Sequence, residues 1–174
     1  DLPDPSKVAY LTQTTLSVDD TKAVIDALRR RFPEIVGPSR DDICYATQNR
    51  QAAVKAVAAE VDVVLVIGAA NSSNANRLRE VSETTGSQAH LISDIKEIRP
   101  EWFENATRVG ITAGASTPEF LVHEAVEALK RMGAVTVREI NVVDENVRFG
   151  LPREMEEIAR ELGKPLPARM PPAW

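Results

Sequence analysis

Cysteine is nearly absent: Cys44 is the only one in 174 residues. No intrachain disulfide can form, and a cytoplasmic chain is the expectation. One thiol is also too few to hold a metal cluster within a single chain. Histidine is scarce too. His90 falls in an expected strand, and His123 falls in an expected helix with no partner at metal-ligand spacing, so both read as structural. No apolar run approaches the roughly 20 residues that cross a bilayer, so no membrane partner is expected. Positive charge is in deficit, at a net −5. That argues against a long basic face and so against nucleic acid as a partner. The run Arg29-Arg30-Arg31 lies late in its helix, where cations complement the dipole. An anionic ligand stays open, because amides and hydroxyls bind phosphate without net positive charge. An initiator Met is missing as well. The start, Asp1-Leu2-Pro3-Asp4-Pro5, is acidic and Pro-broken, unlike a signal peptide, and reads as a cut through a linker.

What is present is ordinary for a globular protein: 43% hydrophobic and 27% charged residues, enough for one good-sized core or two small ones. Val8–Leu11 reads as a strand leading into the hydroxyl-rich Thr12-Gln13-Thr14-Thr15. Ser17, with Asp20 three residues on, is a variant capping box. It opens a helix carrying Val24, Ile25, Leu28 and Phe32 at helical spacing. Pro33 and Gly37-Pro38 close it. A helix is expected over 48–59, with Ala53, Val54 and Val57 inward. Val61–Ile67 is a continuous β-branched run ending in Gly68, the pattern of a strand buried on both faces. Helix follows over 77–83, strand over 88–92, a short helix broken by Pro100 over 95–102, and strand over 108–112. Pro118 opens a helix striped with Leu121, Val122, Ala125, Val126, Leu129 and Met132. A further strand is expected over 134–140, an extended stretch over 147–151, helix over 154–162, and an irregular Pro-rich end over 164–174. Alternating strands and helices predict an α/β fold with mainly parallel sheets and flanking helices. The punctuation divides the chain into residues 1–37, too small to fold alone, residues 38–140, and a tail over 141–174.

Ligands of open α/β sheets gather beyond the C-terminal ends of the strands. Three loops there are small and polar: Thr12–Thr15, Asn71–Asn74 and Ala113–Ser116. Each leads into a helix, whose N-terminus offers unpaired N–H groups and partial positive charge to phosphate oxygens. The same residues are also the preferred helix caps, so capping alone accounts for any one loop. All three together, with Ser72-Ser73-Asn74 in succession, put a phosphate site on equal footing with capping. Cys44 precedes a helix, a position that favours the thiolate. Position alone leaves metal ligand, nucleophile and small buried hydrophobe all open.

Four segments resemble one known family. Thr12-Gln13-Thr14-Thr15-Leu16-Ser17-Val18-Asp19 resembles its threonine loop. Asp41-Asp42-Ile43-Cys44-Tyr45-Ala46-Thr47-Gln48-Asn49-Arg50-Gln51 resembles its third cluster-cysteine motif. Asn71-Ser72-Ser73-Asn74 followed by Asn76-Arg77-Leu78 resembles its diphosphate loop, and Thr112-Ala113-Gly114-Ala115-Ser116 its last ligand loop. The family is that of the LytB-type 4-hydroxy-3-methylbut-2-enyl diphosphate reductases, and the likeness runs over nearly all of residues 8–154. It implies a trefoil of three α/β domains, of which residues 1–37 would be the end of the second and residues 38–140 the third. It implies a four-iron four-sulfur cluster held by three cysteines, with Cys44 as one ligand. It implies diphosphate binding by Ser72, Ser73, Asn74 and Ser116. Thr14 would be the catalytic group beside the substrate hydroxyl, with Gln13 and Thr47 further out. The expected reaction yields isopentenyl and dimethylallyl diphosphate, with a ferredoxin or flavodoxin as electron donor. The family's other two cluster cysteines, its substrate-binding histidines and its catalytic glutamate motif have no counterpart here. A missing N-terminal half or companion chain is therefore an expected partner, and the lone chain is expected to be inactive. A non-enzymatic module that binds isoprenoid diphosphates is the alternative, and a purely structural piece is a third reading.

Overall fold

The computed structural model describes residues 4–38, 42–142 and 151–164. The chain divides after Val142 into two compact units.

The first unit is built on three parallel strands, β1 (Val63–Ile67), β2 (Gln88–Ile92) and β3 (Val109–Ala113), in the order β2-β1-β3. Every residue of β1 is buried, as the unbroken β-branched run predicts. The strand is central, so neither face meets water. Its even residues Val64 and Val66 pack with Val54 and Ala58 of α2 (Tyr45–Ala58) and with Leu78 and Val81 of α3 (Ser73–Thr84). Its odd residues Leu65 and Ile67 pack with Ala125 and Leu129 of α4 (Glu119–Arg131). The result is a parallel sheet with helices on both faces. The α/β expectation is borne out.

Some local expectations change. Helix α2 begins three residues earlier than its pattern predicts, and buries Thr47, Gln51, Val54 and Ala58 rather than Ala53 and Val57. Helix α3 begins at Ser73 because the Ser72 hydroxyl accepts from the Ala75 amide at 3.3 Å. The stretch around Pro100 forms two 3-10 turns, Ile95–Glu97 and Pro100–Phe103. Residues 134–140 form no strand, and Val135 and Val137 lie exposed. Their alternation fits a ladder, but a strand needs a paired neighbour, and none of the described residues supplies one. Val8–Leu11 is reduced to one parallel bridge, Ala9 to Val36. Between these residues runs α1 (Val18–Arg31), capped by Ser17 as expected but with no buried residue.

Asp62, just before β1, accepts from the Arg108 and Thr107 amides and the Thr107 hydroxyl, which hold its carboxyl below the ordinary range. On edge strand β2, the His90 ring stacks on Trp102 at 3.8 Å. In the second unit, α5 (Arg153–Glu161) forms where a helix was expected. Most of the extended stretch over 147–151 and nearly all of the Pro-rich end lie outside the described residues. No described helix is long and apolar enough to cross a membrane.

Candidate functional site

The three strands end level, with Ile67 opposite Ile92 and Ala113. The loops beyond β1 and β3 interlock there. Gly114 N and the Thr117 hydroxyl both donate to the Ile67 carbonyl at 2.9 Å. Gly68 lets α3 come close: a Cβ at this position would lie 2.6 Å from the Ala75 Cβ. That contact is what brings the Ser72–Asn74 turn onto the end of β1. A Cβ at Gly114 would lie 3.5 Å from the same Ala75 atom, so the loop holding Ser116 adjoins the same turn.

In this turn Ser72 is the cap of α3, Ser73 is exposed, and Asn74 is 8% exposed. Both polar atoms of the Asn74 side chain are buried without a hydrogen-bond partner among the described residues. Such a group costs on the order of 1–3 kcal/mol unless something meets it. Ser116 is exposed.

Helix α2 brings Cys44 to the same edge. Arg50 Nη1 donates to the Ala113 carbonyl at the end of β3, 2.9 Å away. Cys44 is the N-cap of α2, and its thiol is exposed, 3.1 Å from the buried Thr47 hydroxyl. It is therefore not a core residue. The threonine loop lies against this arm: Cys44 N donates to the Thr14 carbonyl at 3.3 Å, and the exposed Thr14 is a neighbour of the cysteine. Between this loop and the turn at Asn71 lies a cleft of about 300 Å³, lined among others by Gln13, Thr15, Asn71, Ser73, Asn76 and Arg77. Of the expected ligand residues only Ser73 lines it; Thr14, Ser72, Asn74, Ser116 and Cys44 do not.

Cys44 is the only cysteine, and among the described residues no group of three or more His, Cys, Asp or Glu could hold a metal ion. These residues do not by themselves fit a four-iron cluster. An exposed thiol at a helix start fits one ligand of a cluster shared with other residues.

Residues with no expected role also shape the site. Asp42 accepts from Thr12 N, and Gln51 bonds Leu16 and Val18. The available signal was the spacing of Thr47, Gln51, Val54 and Ala58, which puts two polar side chains on a buried helical stripe.

The family model described as "LytB protein" matches residues 1–130. The chain belongs to the LytB family. The 4-hydroxy-3-methylbut-2-enyl diphosphate reductase of Aromatoleum aromaticum is 59% identical over 153 residues, 88% of this chain and 49% of that protein. The enzyme of the same name from Hahella chejuensis is 58% identical over 152 residues, 87% of this chain and 48% of that one. The solved E-1-hydroxy-2-methyl-but-2-enyl-4-diphosphate reductase from Plasmodium falciparum superposes with a TM-score of 0.84 at 31% identity. It covers 94% of this chain and 52% of its own. This LytB chain thus spans about half the length of the curated relatives it matches.

Proposed function

We propose that this LytB chain is the diphosphate-holding half of a 4-hydroxy-3-methylbut-2-enyl diphosphate reductase, in the third domain of the trefoil and the end of the second. The observation that carries the reading is Asn74: a buried amide with both ends unpaired, in the first turn of a helix whose N-terminus adjoins the Ser116 loop. A diphosphate supplies the acceptors that the Asn74 Nδ2, the Ser72, Ser73 and Ser116 hydroxyls and the free N–H groups of α3 lack. Cys44 would give one thiolate to a four-iron four-sulfur cluster whose other ligands come from the half this chain does not span. What such a cluster supplies, when bound, is the redox chemistry that side chains cannot perform. The allylic alcohol gains two electrons and two protons, its carbon–oxygen bond breaks, and water leaves, giving isopentenyl or dimethylallyl diphosphate. A ferredoxin or flavodoxin would deliver the electrons. The contribution of this chain is to hold the diphosphate and to place the Thr14 hydroxyl at the departing oxygen, where it can orient or relay a proton.

The test is a chimera in which this chain replaces the matching half of the Aromatoleum aromaticum reductase. It should turn over the allylic diphosphate, and Cys44→Ser should abolish that turnover. Near-normal activity in Cys44→Ser would remove the cysteine from the cluster. The single thiol favours one other reading, a module that binds isoprenoid diphosphates without turnover. Tight calorimetric binding by the lone chain, unchanged when the other half is added, would decide for the module.

A further inference from the structure

The threonine loop is tied to the cysteine arm at every second residue. Thr12 N donates to Asp42 Oδ2 at 2.7 Å, and the Thr14 carbonyl accepts from Cys44 N at 3.3 Å. The Leu16 carbonyl accepts from Gln51 Nε2 at 2.8 Å, and Val18 N donates to Gln51 Oε1 at 2.9 Å. Gln13 and Thr15, which these bonds leave free, line the cleft together with Leu16. We propose that Gln51 is a positioning residue: its side-chain amide sets the register of the loop against α2 and so holds Thr14 beside Cys44.

Three facts lead to this. Gln51 is 1% exposed, and both ends of its amide are used on main-chain groups 33 and 35 residues away. The direct rung between Thr14 and Cys44 is long and weak by itself. The nearby Lys55–Asp19 ion pair lies at the rim, where such pairs contribute little. Only an amide of this length presents a donor to one group and an acceptor to the other. A carboxylate would keep the acceptor and face the Leu16 carbonyl without a proton, and an aliphatic side chain would leave both main-chain groups unpaired.

The proposal rests on the reading of Thr14 and Cys44 as parts of one site, and the test separates the two. On the 174-residue chain, Gln51→Leu should speed hydrogen exchange at the Thr12, Cys44 and Val18 amides about tenfold or more, with the amides of β1 unchanged. Loss of protection throughout the chain, or none at these three, overturns the proposal. In the chimera, with rates normalised to bound iron, Gln51→Leu should lower kcat by up to about 10²-fold with KM little changed. The diphosphate loops are untouched by Gln51, which is why KM holds. In a Thr14→Val background the same substitution should add almost nothing, because its effect passes through Thr14. Gln51→Glu, with its size and acceptor kept, should fall between, and serves if the Leu variant does not fold. A slow Thr14→Val with a fully multiplicative Gln51 effect overturns the positioning role alone. A Thr14→Val chimera of normal rate overturns the role given to Thr14 and the positioning role with it.

Discussion

Asn74 carries an unmet amide in a buried position, and the sign of its replacement separates stability from function. Leucine, with the same branching though larger, removes the orphaned donors and acceptor. Asn74→Leu is therefore expected to leave the ligand-free chain as stable or up to about 1 kcal/mol more stable. The melting temperature would hold or rise by about 2–4 °C, while binding of the diphosphate in the chimera is lost. A variant that melts lower and still binds would refute the assignment. His90 shows a second residue-scale effect. Burial lowers its pKa from the ordinary 6.5, partly countered by Glu83 and reinforced by Arg99. Its Nε2 is buried without a hydrogen-bond partner among the described residues. The folded value lies below the unfolded one, so the unfolded chain takes the proton first as pH falls. Stability from the neutral ring is fully present above 6.5 and is lost as pH drops through the window below it. Denaturation midpoints at pH 7.5 and 5.5 should differ less in His90→Phe than in the parent. Neither burial was legible in the sequence. The motifs around Asn74 and Cys44 were, whereas Gln51 shows only as a polar residue spaced with Val54 and Ala58 until Leu16 and Val18 fold onto it.

Two serine-capped helix starts flank the candidate site, and their local chemistry is short-range. The Ser72 cap of α3 and the Ser17 cap of α1 are visible as residue types at the right offset from a periodic run. The close approach of α3 to β1 is less visible, since it depends on Gly68 meeting Ala75. Both are small and neither can swing aside, so Gly68→Ala must push α3 off the sheet. An expected cost of about 1–3 kcal/mol follows, readable as a lower urea midpoint. Ala75→Gly in the same chain should restore part of it, less the roughly 1 kcal/mol that glycine costs inside a helix. A Gly68→Ala protein with an unshifted midpoint would mean that the contact does not position the helix. Residues 134–140 mark the limit of reading elements from pattern. Alternation of Val135 and Val137 describes a strand's faces but not its partner, and pairing is a property of two segments.

One thiol sets what this stretch of 174 residues can hold by itself. Anaerobic reconstitution of the lone chain with iron and sulfide is expected to give no stable cluster at four irons per chain, as read by absorbance and iron analysis. A stoichiometric cluster would contradict the shared-ligand reading. The α/β class, the buried central strand, the caps and the family motifs were determined by the sequence itself, because each depends on residues close together in the chain. Which polar residues are buried, which loops interlock at the sheet edge, and how the threonine loop meets the cysteine arm were decided only by tertiary structure. Those contacts join segments some 30 or more residues apart, and no local pattern encodes the partner of a side chain that far away.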